Sequence, residues 1–359
     1  MTKSTDGTTH IGWTNYVFNP WQNVSAGWEN GAHKLIDWTQ WRKFITFNSR
    51  AEKEGVRHRV LVSTRVDVFE DSDRPIVNNH HQVGYMFEGC LIKWISKNAT
   101  VYDAKATLTF LRKELFKLID ETPWLDWMLL TNRPENIPKM WPHIGFPSSG
   151  VVPGSLGRRV QLSNTMIGVR VSNQKQAAER VPKLLQCLGL SAGLFVVADP
   201  MTGPIDLTAV DNHDGTCPNL FDGNPLYVGN TGGEYAWSPR GFIRFVAARG
   251  QACKNTNANT RSPLHPSWVR FLRDQCHAAK IPFHFDGWGD WYPIHGTGLP
   301  LADDEESDHP WAWIDAEGNA SDKPSRGALL MINVGSETSG KTLDGREWTE
   351  LPPGGTHVR

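Results

Sequence analysis

The sequence predicts an α/β protein built on a parallel sheet, a partial or closed TIM-type barrel with a C-terminal β-hairpin extension. Short runs rich in β-branched and aromatic residues alternate with stretches whose apolar residues recur at three- and four-residue steps. Each alternation implies a strand, a crossover helix and a parallel strand, which is how such sheets are built. Seven strand-like runs occur between residues 11 and 285, a count that suits a barrel better than two separate domains.

Ile11 to Phe18 is the first such run, and it leads into a glycine- and tryptophan-rich loop, Asn19 to Gly31. A helical pattern follows from Leu35 to Phe47. Arg57 to Val66 reads as a buried strand with Asp67 at its end. Residues 71–100 are mixed and form a first insertion, with a turn at Asp71–Pro75. Leu108, Leu111, Leu115 and Leu118 mark a helix from Ala104 to Ile119. Trp124 to Thr131 is the next strand, and Pro134 suits the first turn of the helix after it.

Residues 145–161 are a loop rich in Gly, Pro and Ser. Gln161 to Val171 is a strand, Asn173 to Leu188 a helix, and Ala192 to Ala198 a strand. Residues 201–240 hold many turn formers and read as a second insertion with at most short strands. Gly241 to Ala248 is a strand, and Gln251 to Ser262 a polar loop. His265 to Ala279 is an amphipathic helix, and Ile281 to Phe285 is the last parallel strand. Trp311 to Ile314 and Ala328 to Val334 read as a terminal hairpin. The expected division is a barrel over residues 1–300, with residues 301–359 as an extension packing on it.

Composition narrows the function classes. Apolar residues make up 39% of the chain, and no apolar run approaches the roughly 20 residues that span a bilayer. The polar start, Met1 to Gly7, lacks a signal-peptide core. No membrane partner and a cytoplasmic location are therefore expected. The net charge of -1 shows no general attraction to nucleic acid, although a local groove for protein or nucleic acid stays open. Cys90, Cys187, Cys217, Cys253 and Cys276 are odd in number and widely spaced, which suits reduced thiols rather than disulfides or a cysteine metal site.

In a parallel barrel the chemistry sits just past the strand C-termini. Here that rule selects a candidate pocket of Asp67, Arg133, Asn173, Asp199, Arg249, His284 and Asp286. Each has a plainer alternative. Asp67 and Arg133 can cap helices or pair with one another, and Asp199, before Pro200, can fix a turn. His284 and Asp286 are two apart on a strand and share a face, but the pair lacks a third ligand of obvious spacing, so zinc is not expected. Gly229 to Gly233 lacks the Lys-Ser/Thr of a phosphate-binding loop, and neither Gly-x-Ser-x-Gly nor His-Glu-x-x-His occurs.

Several strips, taken in order, resemble a phage-associated radical-SAM-like family. They are Trp13-Thr14 with Asn19-Pro20, Leu130-Thr131-Asn132-Arg133-Pro134, Gly168-Val169-Arg170-Val171-Ser172-Asn173-Gln174 and Asp199-Pro200-Met201-Thr202-Gly203-Pro204. His265-Pro266-Ser267-Trp268 through Gln275-Cys276 and Leu343-Asp344-Gly345-Arg346-Glu347-Trp348 complete the set. The resemblance implies a radical-SAM-like barrel and a phage source. It also implies a loop with three cysteines that hold a [4Fe–4S] cluster. Two of those positions read Trp28 and Gly31 here, and the first cysteine has no counterpart between Trp21 and Ser25. Cluster iron needs thiolates, so no [4Fe–4S] cluster and no radical chemistry are expected. Trp28 is expected to fold inward and fill part of the former cluster site. Strips that the resemblance expects as Gly-Gly-Glu-Ser-Gly and Phe-Lys-Gln-Trp-Gly read Ala247-Ala248-Arg249-Gly250-Gln251 and Phe285-Asp286-Gly287-Trp288-Gly289. The expected role is binding or structural. The alternative is an enzyme whose remade polar pocket acts on a phosphorylated or nucleic-acid-derived substrate.

Overall fold

A computed structural model describes residues 12–24, 33–35, 37–62, 67–72, 76–77, 83–87, 91–95, 107–142, 161–210, 220–221, 226–227, 235–236, 242–252, 263–294, 310–352 and 354. The strands of the main sheet are β1 (Tyr16–Phe18), β2 (His58–Val62), β3 (Leu125–Thr131), β4 (Leu162–Val171), β5 (Ser191–Ala198), β6 (Ile243–Ala248) and β7 (Phe283–Phe285). They form one seven-stranded sheet in the order of the sequence, from β1 to β7. The pairs β1–β2, β2–β3, β5–β6 and β6–β7 are parallel. The mixed α/β class with a parallel sheet therefore stands as the sequence predicts. Helices α1 (Trp38–Glu54), α2 (Leu108–Glu121), α3 (Gln174–Leu185) and α4 (Pro266–Ala278) lie between strands in the chain.

The chain divides into two compact units. One comprises residues 1–168, 187–193 and 354–359, and the other residues 169–186 and 194–353. In the first unit, α1 starts later than its apolar pattern suggests. Asp37 caps it by accepting from the Thr39 backbone N–H at 2.9 Å, which satisfies a donor that the first turn leaves unpaired. Leu35, expected in the helix, lies instead in a strand, His33–Leu35. That strand joins a five-stranded sheet with Gln22–Val24, Ile76–Val77, Val83–Phe87 and Leu91–Ile95. The insertion near 71–100 thus supplies a sheet of its own. The core behind β1–β3 is aromatic. Phe18 lies 4.5 Å from Phe44, and Phe44 lies 5.3 Å from Trp127, between ring centroids. The buried Trp127 indole donates to Thr122 Oγ1 at 3.0 Å, so its polar atom is satisfied within the apolar layer.

In the second unit, α4 buries Trp268, Val269, Leu272 and Cys276, while Phe271, which apolar spacing puts on the same face as Trp268, is exposed. The expected terminal hairpin is part of something larger. β8 (Trp291–Pro293), β9 (Trp311–Ile314), β10 (Ala320–Ser321) and β11 (Leu329–Asn333) form a four-stranded sheet in the order β8-β11-β9-β10. A small hairpin follows, β12 (Thr342–Leu343) with β13 (Arg346–Glu347). The chain then runs beside β7. Thr349 bridges His284 in antiparallel fashion, and the Phe285 N–H donates to Trp348 O at 2.9 Å. This covers the backbone groups that an edge strand would otherwise leave open. No helix among the described residues is long and apolar enough to cross a membrane.

Candidate functional site

The site is organised by register. Ala198 of β5 pairs with Ala248 of β6, and Ala248 pairs with Phe285 of β7. The next residue on each strand is charged: Asp199, Arg249 and Asp286. Backbone bonds carry the alignment one residue further, with Asp199 N–H to Val171 O at 3.2 Å, Arg249 N–H to Ala198 O at 2.9 Å and Asp286 N–H to Ala248 O at 2.9 Å. An acid, a base and an acid therefore occupy neighbouring positions at the C-terminal ends of adjacent parallel strands. Loops at that end of such a sheet carry its binding and catalytic groups.

The loops beyond this row are locked to each other through their backbones. The Gly250 N–H donates to Gly287 O at 2.9 Å, and the Asp290 N–H donates to Gln251 O at 2.8 Å. A Cβ on Gly250 would lie 1.8 Å from Trp288 O, and one on Gly289, where φ is +78°, would lie 2.2 Å from Gln251 O. Only glycine permits this approach. The loop after β5 is held by two glutamines. Gln174 of α3 accepts from the Asp206 N–H at 2.6 Å and donates to Asp206 O at 3.1 Å. Gln275 of α4 accepts from the Leu207 N–H at 2.7 Å and donates to Ile205 O at 2.9 Å.

His284 is 1% exposed and is the middle residue of β7, paired with Ala247 of β6. Its Nδ1 meets Glu350 O at 3.2 Å, and its Nε2 stands 3.8 Å from Asp286 Oδ1. Asp286 Oδ2 stands 3.8 Å from Arg249 Nη1. Burial pushes the His284 pKa below the ordinary imidazole value, against the pull of the Asp286 carboxylate, so the ring is neutral near pH 7. Lys341 and Glu347 of the C-terminal hairpin region also act on the ring, and they pair with each other at 2.9 Å.

The other candidates have structural work. Asp67 accepts from Thr131 Oγ1 at 2.7 Å, from the Phe69 N–H at 3.0 Å and from the Asn132 N–H at 2.9 Å, which ties the segment after β2 to the end of β3. Arg112, buried on α2, donates to Val68 O and Glu70 O of the same segment. Arg133 is exposed, and its N–H donates to Thr131 Oγ1 at 2.9 Å. Asn173 caps α3 by accepting from the Gln176 N–H at 3.1 Å. Trp28 and Gly31 lie outside the described residues. Sequence reasoning put Asp199, Arg249 and Asp286 just past strand C-termini, which is where they lie, without grouping these three. It missed Gln174, Gln275 and Glu350. Gln174 stands one position past an Asn that ends a strand and opens a helix, a context that could have drawn notice. Glu350 contributes a backbone carbonyl, which leaves no side-chain signal.

Among the described residues, no group of three or more His, Cys, Asp or Glu side chains is placed to hold a metal ion. Cys187 and Cys276 are buried and outside any disulfide, and burial pushes the Cys276 pKa up.

A family model described as "Protein of unknown function (DUF5131)" matches residues 8–352. No curated protein and no solved structure matches the chain.

Proposed function

We propose that this chain, which belongs to the DUF5131 family, is a radical-SAM-like partial barrel without its cluster, and that it binds a small polar ligand at the strand C-termini. The sequential strand order supports the barrel part of the reading, because doubly wound sheets reverse their order at a switch point. The absence of cysteine from residues 19–33 supports loss of the cluster. The observation that carries the binding role is the row Asp199, Arg249 and Asp286, held in register by three backbone bonds. The radical-SAM-like resemblance expects Glu where Arg249 stands and Lys where Asp286 stands. The two charges are exchanged together and still face each other, at 3.8 Å. A site remade with its charge balance kept is suited to binding. On the same resemblance the source is a phage, and the location the host cytoplasm.

The enzyme reading, with a phosphorylated or nucleic-acid-derived substrate, draws on the same arginine, whose side chain is 22% exposed beside Asp286. Native mass spectrometry of protein purified without air separates the two readings. A retained small molecule released unchanged supports binding, and a retained molecule converted on incubation supports the enzyme. Stoichiometric iron and sulfide would contradict both.

A further inference from the structure

The register that pairs Ala198 with Ala248 sets Asp199 beside Arg249 on one face of the sheet, one residue past two adjacent strands. The Met201 N–H donates to Arg249 O at 2.9 Å, so the two segments stay side by side beyond the sheet. Close as their backbones are, no ion pair joins the two side chains. Among the described residues, no hydrogen bond or ion pair engages the half-buried Asp199 carboxylate. The Arg249 guanidinium, 22% exposed, has one ion pair there, with Asp286 at 3.8 Å, and donates no hydrogen bond. Asp286 has a further interaction of its own and stands as the counter-charge. A guanidinium carries a planar fork of donors, and a carboxylate carries a pair of acceptor oxygens. The two forks lie on neighbouring strands, and both have hydrogen-bonding capacity for the edge of a ligand.

That pairing selects the ligand. The Arg249 fork requires two adjacent acceptors, and the Asp199 carboxylate two adjacent donors, on one planar molecule. Guanine has this order along its edges, since N7 and O6 accept while N1–H and N2–H donate. Hypoxanthine has no exocyclic amine and so lacks one donor. Adenine has its N6–H donors between two acceptors, N7 and N1, and offers neither fork a matching pair. A phosphate or an α-amino acid would satisfy the arginine, but it would bring an anion between the two acids that flank Arg249 in register. We propose that Asp199 and Arg249 form a subsite for a guanine base, Arg249 donating to O6 and N7 and Asp199 accepting from N1–H and N2–H. The inference rests on the reading that this end of the sheet binds a small polar ligand, and it names the ligand's class.

The test is titration calorimetry on the full chain. Guanosine should bind, inosine at least about tenfold more weakly, the effect of one hydrogen bond of about 1.4 kcal/mol, and adenosine at least about a hundredfold more weakly. Guanosine bound more tightly than an oligothymidylate carrying one guanine identifies a free nucleoside as the source, and the reverse order identifies a nucleic acid strand. Equal affinity for guanine and adenine, in the nucleoside or in the strand, overturns the proposal. So does a response to inorganic phosphate or glycine alone, or no response to either guanine probe. Asp199→Asn leaves one acceptor in place of two, so the preference for guanosine over inosine should disappear while the melting temperature is kept. A retained preference overturns the proposal. Should Asp199→Asn not fold, Arg249→Lys keeps the charge without the fork, and guanosine should then bind at least about tenfold more weakly. An unchanged affinity overturns the proposal. Native mass spectrometry and iron analysis of the same sample read the wider account separately. A cluster-free protein that retains a small molecule other than a guanine compound overturns the base subsite alone, and stoichiometric iron and sulfide overturn the reading beneath it.

Discussion

Two buried histidines lie at opposite extremes of hydrogen-bond satisfaction. His58, at the start of β2 in the first unit, has both ring nitrogens occupied, with Nδ1 3.1 Å from the Tyr16 hydroxyl and Nε2 2.8 Å from Glu54 Oε2. Glu54 is held in turn by Arg50 at 2.7 Å, and Tyr16 stacks on Phe47 at 3.9 Å between centroids. His284, at β7 in the second unit, has one nitrogen held by a carbonyl and the other facing a carboxylate at 3.8 Å. The first arrangement has the form of a nucleophile, a base and an orienting acid, yet burial raises the Tyr16 pKa and keeps the phenol protonated. It also sits at a strand N-terminus, the end of such sheets associated with stability. Completed networks of this kind hold a fold together.

That contrast can be broken at its frame, with the largest expected effect. Gly250→Ala places a methyl 1.8 Å from Trp288 O and should cost about 3 kcal/mol in urea unfolding. A loss below about 0.5 kcal/mol would mean that the two loops are not locked together.

Next comes removal of each ring. His58→Ala should lower stability by about 2 kcal/mol, because it strands the Tyr16 hydroxyl in a partly buried place. His284→Ala loses a single carbonyl bond, so it should cost about 1 kcal/mol or less. Equal losses would erase the distinction between a finished and an unfinished network.

The smallest effect is in pH. The folded pKa of His284 lies below its unfolded value of 6.5 because of burial. The unfolded chain therefore binds more protons in the window below that value, and stability falls as pH drops from about 6.5 through the folded pKa. Asp286 faces the ring and softens the effect. Asp286→Asn removes that compensating charge, so it should steepen the acid loss between pH 7 and 5, and His284→Asn should flatten it. Denaturant midpoints across that range measure both slopes. His265, also buried with a lowered pKa, contributes in the same direction and is common to all three proteins.

The sequence shows some of this contrast and hides the rest. The strands were legible because runs such as Val60-Leu61-Val62 and Val196-Val197-Ala198 are continuous and apolar, as strands covered on both faces are. Asp199, Arg249 and Asp286 were legible because each follows such a run directly. The five-stranded sheet was not, since pieces such as Gln22–Val24 and Ile76–Val77 are too short to show alternation. The partner of His284 was hidden for a different reason. It is a backbone carbonyl 66 positions away, and any residue at that position would supply it.

The central claim is that this sheet end binds a ligand without an iron–sulfur cluster. Anaerobic reconstitution with iron and sulfide, followed by metal analysis and visible spectroscopy, tests it directly. The account predicts no stoichiometric iron and a flat charge-transfer region. About four iron and four sulfide per chain, with the matching absorbance, would contradict it.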